Sequence, residues 1–223
     1  MNKRKFNKPH PNTIGKYRRE KWLFQKKMNE FAKSASWIRK MFEEGARLKA
    51  EFGAENIFDF SLGNPDLPPP PEFQKTLLQL AEKDIPGSHA YMPNGGYPFV
   101  REAVAARISR EQGVGLTANE MLMTCGAAGG LNVTLKALLD PGDEVIILAP
   151  FFVEYKFYID NHGGVSRVVS TDDNCDLNFE AIAAALNEKT KAIIINSPNN
   201  PSGQIYSKES LAELGRALAA ASQ

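Results

Sequence analysis

Residues 121–150 read MLMTCGAAGGLNVTLKALLDPGDEVIILAP, and the fold follows from how that run divides. Residues 121–124 are short and apolar, as in a strand. Gly126-Ala127-Ala128-Gly129-Gly130 is a turn of small residues, after which Leu131, Leu135, Leu138 and Leu139 line one face of a helix. Asp140-Pro141-Gly142-Asp143 ends that helix, because proline and turn formers cannot continue it. Residues 145–148 are a continuous β-branched and apolar run, the mark of a strand covered on both faces. Strand, helix, strand at this spacing predicts parallel pairing with the helix laid across the sheet.

The pattern continues on both sides. Downstream, residues 165–169 form a third short strand candidate. Phe179, Ile182 and Leu186 make a helical stripe, and residues 192–195 are a fourth strand candidate. Ser207 caps a final helix over 207–220, where Leu211, Leu214 and Leu218 are expected to find nothing downstream to pack against. Upstream, Val100, Val104 and Ile108 mark a helix closed by Gly113, and residues 90–98 are a loop dense in turn formers. Phe73, Leu77, Leu80 and Ala81 share one helical face, preceded by four prolines at 68–71, a stiff connector. Phe58, Phe60 and Leu62 alternate with Asp59 and Ser61, predicting a half-buried strand that ends at Gly63-Asn64-Pro65-Asp66. Trp37, Met41, Leu48 and Phe52 predict a helix stopped by Gly53. The fold class is α/β: a mostly parallel sheet with helices on both faces.

The 223 residues are 43% hydrophobic and 24% charged, an ordinary globular composition that excludes a wholly disordered chain. No apolar run approaches the roughly 20 residues needed to span a bilayer. Cys125 and Cys175 have no partner cysteines or histidines at metal spacing, which fits a reduced, cytoplasmic setting best. Charge is unevenly spread. The first 40 residues hold thirteen Lys and Arg against Glu20 and Glu30, a net of +11, which leaves −10 on the rest. Residues 1–27 read as a solvated tail, or as read-through ahead of Met28, in preference to a nucleic-acid arm. Trp22 and Phe24 are too few for a stacking platform.

In open α/β sheets, ligands bind beyond the carboxyl ends of the strands. Three such ends carry unusual residues here. At Thr124-Cys125-Gly126-Ala127-Ala128 small side chains let a ligand approach the backbone, and the start of a helix offers free N–H groups to a phosphate; tight packing alone would also explain the glycines. The second end reads Ala149-Pro150-Phe151-Phe152. A dinucleotide site wants an acid there for the ribose hydroxyls, but an aromatic ring stands in its place, which suits a small flat ring with one phosphate better than NAD. Phe151 reads as core and Phe152 as a platform. The third end, Ser197-Pro198-Asn199-Asn200-Pro201-Ser202-Gly203, is a rigid loop able to hold an Asn amide toward an anionic ring oxygen.

These residues together resemble the first part of the class I/II aminotransferases, fold type I enzymes that use pyridoxal 5′-phosphate. The matching stretches are Ser61-Leu62-Gly63-Asn64-Pro65-Asp66, Tyr91 with Gly95-Gly96-Tyr97 and Arg101-Glu102-Ala103, then Thr124-Cys125-Gly126-Ala127. Pro141-Gly142-Asp143-Glu144-Val145, Pro150-Phe151-Phe152 and residues 197–203 follow in the family's order. The resemblance implies that Gly126, Ala127 and Ala128 face the cofactor phosphate, that Phe152 stacks on the pyridine ring, and that Asn200 donates to its phenolic oxygen. It further implies that Tyr91 reaches the phosphate of a neighbouring subunit in a homodimer, and that Gly63 and Asn200 lie near the substrate. The implied reaction moves an amino group between an amino acid and a 2-oxo acid. The implied domains are a basic extension over 1–36, an arm over 37–71 contributing to a small domain, and the first part of the cofactor-binding large domain over 72–223.

The sequence departs from the family in two respects. Ala127 and Ala128 offer only backbone donors where a hydroxyl is common, and Ser202 stands for the more usual Thr. The family's Schiff-base lysine, the acid under the ring nitrogen and the carboxylate-binding arginine come after the Asn-Pro loop, where this sequence has only Lys208 in a surface helix. A truncated chain without a catalytic residue of its own is therefore expected. The alternatives are an aminotransferase-like subunit that acts through a partner chain and, less favoured, a Rossmann-type nucleotide-binding domain.

Overall fold

The computed structural model describes residues 27, 28, 30, 31, 36–60, 67–83 and 85–221. The basic segment 1–26 and the stretch 61–66, which contains Gly63, lie outside the described residues. The chain divides into two units, Met1–Pro86 and Gly87–Gln223.

In the first unit, α1 (Ser36–Phe52) is followed by a short 3-10 turn and an extended segment, and α2 is Pro71–Glu82. Gly53 ends α1 as expected, and Pro71 occupies the first turn of α2, where its missing N–H has no helical partner to lose. Lys49 reaches Asp59 at 2.7 Å and ties the extended segment to the helix. Met41, Leu48, Ile57, Phe58 and Phe60 line a hollow of about 540 Å³ there. The half-buried strand expected at 58–62 is not formed over its described part. Phe58 and Phe60 are 83% and 93% exposed, and residues 57–60 join no sheet among the described residues. Alternation gives a segment one apolar face, but a strand also needs a neighbour to take its backbone hydrogen bonds. Phe73, Leu77 and Leu80 of α2 are likewise exposed.

The second unit opens with the loop 90–97 and α3 (Pro98–Gln112), closed by Gly113. Then come α4 (Gly126–Leu138), β1 (Glu144–Ala149), α5 (Glu154–Asn161), β2 (Val165–Ser170), α6 (Phe179–Ala185), β3 (Thr190–Ile194) and α7 (Lys208–Ala221). The sheet has the order β2-β1-β3, and both pairings are parallel. Residues 121–124 are extended but lie outside it, so the sheet has three strands among the described residues where four were expected. That segment is instead tied to the preceding loop by a backbone bond from Met123 N–H to Gly95 C=O at 3.0 Å. A Cβ on Gly96, whose φ is +96°, would come within 2.7 Å of the Met123 side chain. Gly95-Gly96, read above as a turn, thus lets the loop lie against the strand-like segment that leads into α4.

β1 is the middle strand, and its alternation sorts the core into two layers. Ile146 and Leu148 pack with Val169, Leu177, Ile182, Tyr206 and Leu214. Val145 and Ile147 pack with Leu135, Leu139, Tyr155 and Ile159. Helices α6 and α7 therefore cover one face, and α4 and α5 the other, as the continuous apolar run implied. Leu214 is only 2% exposed and Leu218 packs beside it, because α7 folds back onto upstream residues of the sheet. Leu211 stays exposed.

Two tyrosines sit in these layers, one on each side. Burial pushes the Tyr155 phenol above its ordinary value, with Tyr158 adding to the effect. Burial does the same to Tyr206, helped by Asp176 and Cys175. A phenol that holds its proton more tightly folded than unfolded contributes stability below the unfolded value, and loses it as pH rises through the folded one. The tyrosines' contribution to stability against urea is therefore expected to be constant through neutrality and to fall above about pH 10, the ordinary tyrosine value. The double variant Tyr155→Phe, Tyr206→Phe should flatten that alkaline decline in a pH series followed by circular dichroism. An unchanged decline would assign it to other groups.

Candidate functional site

Because β1 and β3 are parallel neighbours, their carboxyl ends open on the same edge of the sheet. Helix α4 precedes β1 and packs along its Val145 and Ile147 face, so it runs against the strand. Its 13 residues rise about 20 Å, and the six residues of β1 span about as much. The amino terminus of α4 is thus returned to the same edge. By this topology the turn at 124–128 falls on the edge where the exit at 149–152 and the loop at 197–203 open. A second hollow, of about 450 Å³ and lined by Leu186, Thr190, Ala192 and Leu218, lies at the opposite, amino edge and takes no part in this arrangement.

At the turn, Gly126 has φ +66°, and its N–H donates to Thr124 C=O at 2.9 Å. The Thr124 hydroxyl donates to Gly126 C=O at 3.0 Å. Gly129 N–H to Cys125 C=O, 3.3 Å, is the bond that begins the helical ladder. The N–H groups of Ala127 and Ala128 come before it, and they meet no acceptor among the described residues. Both residues are exposed. The Gly126 N–H is already used within the turn, and the residue supplies a left-handed bend that a side chain would strain. Donors unmatched among the described residues and the positive end of the helix dipole coincide at Ala127 and Ala128, which is the chemistry of an anion site.

At the β1 exit, Phe151 packs into the core and Phe152 lies at the surface, its ring edge-on to Tyr155 with centroids 5.7 Å apart. The exit is held from both sides. The Thr171 hydroxyl, just past β2, donates to Ala149 C=O at 2.8 Å. From the β3 side, the Asn199 side-chain amide donates to Pro150 C=O at 3.0 Å and to the Ser202 hydroxyl at 2.8 Å. Asn199 also closes its own loop, with N–H to Gln204 C=O and C=O from Gly203 N–H, each 2.8 Å. With its amide turned to match its neighbours, Asn196 donates to Pro198 C=O at 3.2 Å and accepts from Asn200 N–H at 3.0 Å. Asn200 itself is exposed. The hydroxyl of Ser202 meets the loop's need without the methyl group of a threonine.

Tyr91 stands in the loop before α3 with its side chain fully exposed. Gly63 lies outside the described residues. Lys208 opens α7, and Lys156 is turned over the Phe151 ring at 5.2 Å. Sequence reasoning missed Asn199 and Thr171. The signal for Asn199 was its position beside Asn200 in a proline-bounded loop, where one of the two amides has to hold the loop together. Among the described residues, no cluster of His, Cys, Asp and Glu could hold a metal ion, and no helix is long and apolar enough to cross a membrane.

Comparison with known proteins shows the family. Residues 55–221 match the family described as aminotransferase class I and II. The aspartate aminotransferase of Streptomyces avermitilis is 35% identical over 162 residues, covering 72% of this chain and 39% of that protein. The aspartate/prephenate aminotransferase of Thermus thermophilus is 36% identical over 163 residues, 72% of this chain and 42% of that protein. Among solved structures, an amino transferase from Eubacterium rectale superposes with a TM-score of 0.84 at 34% identity, covering 89% of this chain and 50% of that one. The chain thus spans half or less of the length of each of these relatives.

Proposed function

The chain belongs to the class I and II aminotransferases, and from that premise we propose that it serves pyridoxal 5′-phosphate-dependent transfer of an amino group from an amino acid to a 2-oxo acid. The observation that carries the proposal is the pair of free amides at Ala127 and Ala128, on the same sheet edge as an exposed aromatic ring and an exposed asparagine. An anion site, a platform for a flat ring and a donor for a ring oxygen are what a phosphorylated pyridine requires. Ala127 and Ala128 would hold the phosphate through their N–H groups, with Gly126 shaping the bend beneath it. Phe152 would lie against the ring, and Asn200 would donate to the phenolic oxygen and stand near the substrate. Tyr91, fully exposed, would reach the phosphate of a second subunit in a homodimer, and Gly63 would sit near the substrate carboxylate.

When bound, the pyridine ring draws electrons from the bonds at the substrate's α carbon. The contribution assigned to these residues is binding and orientation; a lysine that reacts with the cofactor is not among them. Within this reading, residues 37–71 form an arm belonging to a small domain, residues 72–223 begin the large domain, and the setting is cytoplasmic amino acid metabolism.

Ala127→Pro tests the reading. Proline is tolerated in the first turn of a helix, so the variant deletes one donor and spares the fold. Calorimetric titration with pyridoxal 5′-phosphate should show affinity weakened by roughly tenfold, the worth of one hydrogen bond to a charged group. Unchanged affinity would remove the phosphate from this turn. Tighter binding of NAD or ATP by the wild-type chain would favour a nucleotide-binding domain instead.

A further inference from the structure

Apart from the two tyrosine phenols, Asn199 is the one polar side chain buried among the described residues, at 9% exposure. Three of its four hydrogen bonds, to Gln204, Gly203 and Ser202, stay within its loop. The fourth reaches back 49 positions to Pro150 C=O at the exit of β1. A residue that only shaped its own loop would not need that fourth bond. Pro150 lies two residues before Phe152, and Asn199 directly precedes Asn200. Successive Cα atoms are about 3.8 Å apart, so a shift at this clamp passes almost undiminished to both neighbours. The N–H groups of Ala127 and Ala128 belong to α4, which Asn199 does not touch through any of these bonds.

We propose that Asn199 is a positioning residue for the cofactor ring: its amide holds the loop 198–203 against the β1 exit and thereby sets Asn200 and Phe152 relative to one another. The proposal rests on the cofactor reading above and adds to it that ring affinity, unlike phosphate affinity, depends on Asn199.

Asn199→Asp keeps the shape of the side chain and deletes both donor hydrogens. Two ligands are titrated into the full chain by calorimetry: inorganic phosphate, and pyridoxine 5′-phosphate, which carries ring and phosphate without a reactive aldehyde. The variant should lose roughly tenfold in affinity for pyridoxine 5′-phosphate, one hydrogen-bond clamp's worth, and nothing for phosphate. Equal losses for both ligands would mean general damage to the fold and would overturn the positioning role, as would no loss for either. A wild-type chain that binds pyridoxine 5′-phosphate no better than phosphate would sink the cofactor reading itself, and the proposal with it. Should Asn199→Asp fail to fold, Ser202→Ala decides by the same pair of titrations. It removes one acceptor of the amide and leaves the bond to Pro150, so a smaller but equally ring-selective loss is expected.

Discussion

Replacing Ile146 with alanine is expected to cost the second unit about 3 kcal/mol, within the range for removing a large aliphatic side chain from a packed core. Ile146 is fully buried in the middle strand, with β2 on one side and β3 on the other. Its side chain enters the layer formed by Ile182, Tyr206 and Leu214, so truncation leaves a cavity that backbone paired on both edges cannot easily close. Against the roughly 5–15 kcal/mol that holds a typical domain folded, this is a large fraction. Urea unfolding followed by circular dichroism should show the midpoint displaced at unchanged slope, with Ile146→Val moving it by a third as much or less. A loss below about 1 kcal/mol for the alanine variant would mean that this face of the sheet is not packed as described.

Leu214→Ala should come close to that effect, at about 3 kcal/mol, whereas Leu211→Ala, three residues away on the same helix, should cost less than about 1 kcal/mol. The contrast follows from burial: Leu214 is 2% exposed and Leu211 is 39% exposed. Leu214 enters the same layer as Ile146, so the two substitutions share neighbours and their combined cost should not be a simple sum. Equal and small effects at both leucines would show that α7 is not seated on the sheet in solution.

The central strand was readable because residues 145–148 are apolar at every position, a pattern that only burial on both faces explains. The helices ending at Gly53 and Gly113 were readable for an equally local reason, since stop signals sit beside the residues they stop. The segments at 58–60 and 121–124 carry strand-like patterns too, yet neither joins the sheet. Apolar periodicity reports which face seeks cover and is silent on whether a neighbouring backbone is there to pair with. The same limit applied to Gly96, whose need for a missing side chain is set by Met123, 27 positions on.

The candidate site divides along the same line. The glycine turn, the aromatic residue after a buried strand and the proline-bounded asparagine loop are each local, and each was legible with its residue type. That Asn200 is the outward one came only from the family resemblance, and the inward bonds of Asn199 were not legible at all. Asn199 is turned inward, its amide donating to the Pro150 carbonyl across the sheet edge, whereas the neighbouring Asn200 stays exposed.

From the order of its residues alone, this chain was committed to a parallel α/β sheet of aminotransferase type, with unusual residues just beyond the carboxyl ends of β1 and β3. Local chemistry repeats faithfully wherever such a strand, turn or cap is written. The assembled molecule alone decided which apolar segments found partners, that α7 turns back to close the core, and that a buried amide locks those two ends together. Those outcomes depend on hydrogen-bonding groups and side chains brought into contact from distant positions, a quantity no short window of sequence contains.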